Sequence, residues 1–186
     1  PSFSSDVHGL IIAGPAQPGD PEAHAAIVGE IAQRLGWPVL ADGLSPLRGY
    51  AGTVPHLVTA YDAILRSPEV AERLKPEFVI CLGGWPTSKI LRAWLEASGA
   101  RIWLVTRRLD NRDALHGRTV HLPVSLATLV TDLPFASEPN GYEEMWGGYE
   151  HRVRVALDDR ITRTEGLFEG RATDLLARHL PAGSTL

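Results

Sequence analysis

The chain has one cysteine and one methionine in 186 residues and no excess of either charge sign: 18 basic side chains face 22 acidic ones, a net charge of -4. A single cysteine, Cys81, excludes an internal disulfide. It lies inside Phe78–Val79–Ile80–Cys81–Leu82, where a thiol behaves as a small buried hydrophobe, and a reducing cytoplasm is the expected compartment. The small net charge gives no electrostatic reason to expect nucleic acid or an anionic membrane as partner. The longest apolar runs, residues 10–14 and 78–82, are far too short to span a bilayer. No charged, apolar and cleavable signal opens the chain. Pro1 at the start and Pro181–Ala182–Gly183–Ser184–Thr185–Leu186 at the end read as cuts in something longer.

Motifs of self-contained catalysis are missing too. There is no Gly-x-Ser-x-Gly, no Walker loop, and no Gly-x-Gly-x-x-Gly after a strand; Gly14–Pro15–Ala16–Gln17–Pro18–Gly19 lacks the dinucleotide fingerprint. The seven histidines are scattered, and His116 with His121 has no metal-ligand spacing.

What is present is an ordinary globular composition, 44% hydrophobic and 22% charged, arranged as strand, turn, helix, repeated. Residues 8–13 read as a buried strand. Asp20 and Pro21 open a helix as N-cap and first residue, carried by Ile27, Ile31 and Leu35 and stopped by Gly36, with Glu30 and Arg34 paired on the wet face. Residues 37–41 form a second strand. Leu57, Tyr61, Ile64 and Leu65 take helical spacing, and Ser67–Pro68–Glu69 starts another helix. Residues 77–82 are a third strand, turning through Gly83–Gly84–Trp85–Pro86–Thr87–Ser88 into a helix with Leu91, Trp94 and Leu95, ended by Gly99. Residues 102–105 and 119–122 are further strands, and 124–133 a short helix.

Apolar strands separated by amphipathic helices indicate an α/β, Rossmann-like parallel sheet of five or six strands, covered by helices on both faces. That unit spans residues 1–133, with a linker at 134–141. The remainder, 142–186, is a helical tail: Trp146, Tyr149, Val153 and Leu157 form one apolar stripe to be buried, and Leu175 and Leu176 face inward.

Ligands of open parallel sheets sit beyond the carboxyl ends of the strands, beside helix N-termini. Three such ends here carry donors. The second strand leads to Asp42 and Arg48, the third to Thr87, Ser88 and Lys89, the fourth to Arg107, Arg108, Asp110 and Arg112. A lysine on a first helical turn opposes the helix dipole, which points to an acid ligand. Arg48 either joins that set or pairs with Asp42, and the arginines from 107 on either join it or form a solvated loop.

Three stretches carry a family resemblance: Trp37–Pro38–Val39–Leu40–Ala41–Asp42–Gly43–Leu44–Ser45–Pro46–Leu47–Arg48, Tyr61–Asp62–Ala63–Ile64–Leu65–Arg66, and Gly83–Gly84–Trp85–Pro86–Thr87–Ser88–Lys89. They resemble the middle domain of the 2-succinyl-5-enolpyruvyl-6-hydroxy-3-cyclohexene-1-carboxylate synthases, thiamine-diphosphate enzymes of menaquinone and phylloquinone biosynthesis. His8–Gly9–Leu10–Ile11–Ile12–Ala13–Gly14 fits the domain's start, and the stretch from His179 onward its exit. The resemblance implies an enzyme that decarboxylates 2-oxoglutarate and adds the succinyl unit to isochorismate. It also implies that thiamine diphosphate and Mg2+ are bound by N-terminal and C-terminal domains outside this chain, in a dimer or tetramer. No catalytic residue is expected here. Lys89 matches a basic residue that holds the acceptor's carboxylates, a small dicarboxylate substrate; Ser88, Arg48 and Arg107 are the further substrate-binding candidates. Ile90 departs from the pattern, since some relatives carry arginine there.

Overall fold

The computed structural model describes residues 7–107, 119–133, 140–166 and 168–181. Arg108, Asp110, Arg112, His116 and most of the expected linker lie outside them. The described chain divides into two compact units, one running to Glu150 and one beginning at His151.

The first unit is built on six parallel strands: β1 (Gly9–Ala13), β2 (Val39–Ala41), β3 (Leu57–Val58), β4 (Phe78–Leu82), β5 (Arg101–Val105) and β6 (Thr119–Leu122). Their order is β3-β2-β1-β4-β5-β6, all neighbours parallel, the doubly wound order of Rossmann-type folds. Its helices are α1 (Pro21–Leu35), α2 (Tyr61–Ile64), α3 (Pro68–Arg73), α4 (Lys89–Ser98), α5 (Leu126–Asp132) and the first turns of α6 (Tyr142–Arg163). β1, β2 and β4 are buried at every position, as strands covered on both faces must be.

Local chemistry explains where the elements start and stop. The Asp20 carboxylate accepts the Ala23 amide at 2.9 Å, Pro21 follows, and Gly36 ends α1 in the left-handed region at φ 63°. Glu30 and Arg34 pair at 2.7 Å. On one face of the sheet, Val28, Ile31 and Leu35 pack with Ile11, Ile80, Leu129 and Val130. On the other, Trp94 of α4 meets Trp146 of α6 edge to face at 5.9 Å.

Four features differ from the sequence expectation. Leu57 lies in the two-residue strand β3, too short to show a period of two, rather than in a helix. A 3-10 turn at Pro46–Tyr50, capped by Ser45, follows β2. Of the apolar stripe on α6, Trp146 is fully buried, Tyr149 and Val153 are half-buried, and Leu157 is 44% exposed. Leu175 and Leu176, on α7 (Glu169–His179), are exposed rather than inward. Helical spacing identifies an apolar face but not whether anything covers it.

α6 joins the sheet unit through specific contacts. The Tyr142 hydroxyl donates to the Leu74 carbonyl at 2.6 Å, and its ring stacks on His8 at 4.5 Å. In the second unit, Arg178 binds Asp174 at 2.9 Å, and Arg171 donates to the Thr164 carbonyl at 3.1 Å. No helix among the described residues is long and apolar enough to cross a membrane.

Candidate functional site at the strand ends

The chain reverses its winding direction between β1 and β4, the switch point where doubly wound folds hold ligands. There the two following loops touch backbone to backbone. Gly14 donates to the Leu82 carbonyl at 3.0 Å and Gly84 to the Pro15 carbonyl at 3.1 Å. A Cβ on Gly14 would sit 1.6 Å from the Gly84 carbonyl oxygen, so only glycine permits this crossing. Beside it opens a cleft of about 510 Å³, lined by Ala16, Gln17, Gly83, Gly84, Leu104 and Thr106, among others. Exposed Arg107 follows Thr106 in the chain.

That cleft does not have the chemistry of a diphosphate cradle. The amides of Gly14, Gly83 and Gly84 are all spent on carbonyls. The N-terminus of α1, which in dinucleotide-binding folds receives the pyrophosphate, already carries Asp20 as cap and Glu22 in its first turn. Among the described residues no group of His, Cys, Asp and Glu is arranged to hold a metal ion. This cleft therefore offers no free glycine amide to a diphosphate. Cys81, fully buried beneath this end of the sheet, has its thiol pushed up to about 12 by burial and is no nucleophile.

The polar chemistry gathers one strand further out, around Asp42. This residue is 0% exposed, directly after β2, and its carboxylate collects donors from three segments. Oδ1 accepts the Leu44 amide at 3.0 Å. Oδ2 accepts the Thr87 amide at 2.7 Å and the Thr87 hydroxyl at 2.9 Å, with the Tyr61 hydroxyl at 3.5 Å. A buried carboxylate is tolerable when so furnished with donors. Burial first, then the Asp42 charge, pushes the Tyr61 phenol up to about 12.

Arg48 does meet Asp42, but through the backbone. Its Nε donates to the Asp42 carbonyl at 2.9 Å, and its Nη2 to the Ala41 and Thr59 carbonyls at 3.0 and 2.8 Å. Through Nε and Nη2 the guanidinium ties the ends of β2 and β3 together. Glu150 of α6 extends the same brace, accepting the Thr59 hydroxyl at 2.7 Å and the Ala60 amide at 2.8 Å.

Ser88 is likewise committed to the protein. Its hydroxyl caps α4 by accepting the Leu91 amide at 3.1 Å and donates to Asp62 Oδ1 at 2.6 Å. Thr87 and Ser88, the hydroxyls flanking the lysine, thus point their donors at two protein carboxylates. Lys89 differs. It is exposed at the first position of α4, and no hydrogen bond or ion pair ties it down among the described residues. Arg107 stands across the sheet, beyond β5.

The sequence reading placed Asp42 at the second strand end as a possible partner of Arg48, and missed Asp62 and Glu150 as parts of this site. Asp42 and Asp62 lie inside the stretches that carry the family resemblance, and that was the available signal. Nothing local marks Glu150.

At the strand ends of this doubly wound α/β domain, Asp42, Thr87 and Ser88 bond to other protein groups, while Lys89 and Arg107 are exposed. The family model described as "Middle domain of thiamine pyrophosphate" matches residues 3–181, and the chain belongs to that family, the middle domains of thiamine pyrophosphate enzymes. It is similar to proteins named 2-succinyl-5-enolpyruvyl-6-hydroxy-3-cyclohexene-1-carboxylate synthase. The one from Acaryochloris marina is 40% identical over 183 residues, 96% of this chain and 31% of the relative. That from Trichormus variabilis is 40% identical over 191 residues, 100% of this chain and 32% of the relative. A Synechococcus protein (strain JA-3-3Ab) is 42% identical over 179 residues, 96% and 30% respectively. The chain thus spans about a third of the length of these relatives.

Proposed function

We propose that this chain is the central domain of a thiamine-diphosphate-dependent carboligase that decarboxylates 2-oxoglutarate and joins the succinyl unit to isochorismate, in menaquinone biosynthesis. Its own part is to present Lys89 to a carboxylate of the acceptor and to brace the neighbouring domains. The name shared by its relatives supports the reaction class. The carrying observation for the site is that Lys89 is exposed with no hydrogen bond or ion pair among the described residues, whereas the Ser88 hydroxyl is used on Leu91 and Asp62 and Arg48 gives its Nε and Nη2 to carbonyls. The cofactor supplies the carbon–carbon chemistry when bound, with Mg2+, by domains outside this chain, in a dimer or tetramer; the residues here bind and orient.

Lys89→Ala in the full-length enzyme tests this. A charge-assisted hydrogen bond of about 1.5–3 kcal/mol implies a rise of roughly tenfold or more in KM for isochorismate. The constant for 2-oxoglutarate should move much less. Equal changes in both constants, or none in either, would remove Lys89 from the site. The isolated chain should release no CO2 from 2-oxoglutarate with added thiamine diphosphate and Mg2+.

A second reading is that the domain is regulatory and holds an acidic metabolite of the pathway. It rests on the cleft at the switch point and on Arg107 beside it. Thermal-shift titration of the isolated chain with isochorismate, 2-oxoglutarate and pathway products separates the two: saturable stabilisation, lost in Arg107→Ala and kept in Lys89→Ala, favours regulation.

A further inference from the structure

We propose that Asp42, acting through Thr87, is the positioning residue that sets the first turn of α4 and so aims the Lys89 ammonium; this rests on the reading of Lys89 as an acid contact. The geometry is a relay of two steps. Asp42 Oδ2 receives both donors of Thr87, the amide at 2.7 Å and the hydroxyl at 2.9 Å, from 45 residues away. Two residues after Thr87 comes Lys89, and between them Ser88 is held by its own carboxylate, Asp62, at 2.6 Å. The backbone entering the helix is thereby fixed at two consecutive residues.

Stability calls for an acceptor here, since an apolar side chain would leave the Leu44 and Thr87 amides without a partner. A carboxylate adds direction: two bonds converging on one oxygen fix the threonine's orientation as dispersion contacts do not. Asp42 also accepts the Leu44 amide through Oδ1 and lies at 0% exposure, so both of its oxygens are engaged. Asparagine cannot replace it, because one amide oxygen cannot accept from both Leu44 and Thr87 and its NH2 would face a donor.

The test is a set of full-length variants assayed for KM of each substrate, kcat and melting temperature. Thr87→Val is isosteric, keeps the amide bond to Asp42 and removes only the hydroxyl. It should raise KM for the acceptor by about threefold to tenfold, the range of one hydrogen bond, with kcat and the 2-oxoglutarate constant unchanged. Thr87→Ser, which keeps both donors, should restore the acceptor KM. In a Lys89→Ala background, Thr87→Val should have no further effect on it, since the residue being aimed is gone. Asp42→Asn should match Thr87→Val or exceed it; if it does not fold, the threonine pair still decides the matter. Additive effects of Thr87→Val and Lys89→Ala, a uniform fall in kcat, or a silent Thr87→Val would overturn the positioning role while leaving Lys89 as a contact. A Lys89→Ala variant with unchanged constants would remove both.

Discussion

Glu150 and Ala60 meet across 90 residues of sequence: the carboxylate accepts the Ala60 amide at 2.8 Å. Ala60 is the N-cap of α2 and has no side chain to accept from its first turn; Glu150 takes the Ala60 amide from another element and the Thr59 hydroxyl at 2.7 Å as well. The same Thr59 accepts from Arg48 through its carbonyl. The strand ends nearest the proposed site are thus tied to α6.

Removing that acceptor is expected to cost about 1–2 kcal/mol, the scale of a part-buried amide left unpaired. Glu150→Ala should lower the urea midpoint of the chain accordingly. Glu96→Ala, at an exposed position of α4, should stay within about 0.5 kcal/mol. Equal effects of the two would mean that Glu150 is only a solvated carboxylate.

The two ends of the α6 stripe should respond differently to truncation. Trp146 is 0% exposed against Trp94, and Trp146→Ala should destabilise by about 3–5 kcal/mol. Leu157, at 44% exposure, should tolerate alanine within about 0.5 kcal/mol in the chain studied alone. Chemical denaturation of both variants checks this, and a large loss at Leu157 would show that something covers it.

Alkaline pH should expose the tie between Tyr61 and Asp42. The folded phenol titrates at about 12, above its ordinary value of 10.0. Between those values the unfolded chain gives up the proton while the folded one keeps it, so the unfolded state binds fewer protons and stability falls as pH rises. The contribution is complete below pH 10 and disappears towards pH 12. Urea midpoints measured across that window should fall more steeply for the native chain than for Tyr61→Phe. Parallel curves would place the phenol in water.

Much of the fold is legible locally. Asp20 with Pro21, Ser67 with Pro68 and Ser88 cap the helices that follow them, and the uninterrupted apolar runs of residues 10–13 and 78–82 announce strands buried on both faces. The stretches carrying the family resemblance also contain Asp42, Asp62, Thr87 and Lys89. Their roles were harder to read. Thr87 and Ser88 look like donors to a ligand in the sequence, and the fold turns both towards protein carboxylates.

What the sequence by itself determined, then, is most of the elements, their parallel arrangement and the family, because periodicity, caps and turn residues act within a few positions of one another; the two-residue strand β3 was too short for that. Tertiary structure alone decided that Asp42 would reach Thr87, that Arg48 would give its Nε and Nη2 to three carbonyls, and that Glu150 would accept the Ala60 amide. It also decided that Leu157 would remain exposed where Trp146 is buried. The reason is physical: a donor's choice of acceptor, and an apolar face's choice of cover, depend on which chain ends the sheet order brings together, and no spacing along a single element encodes that order.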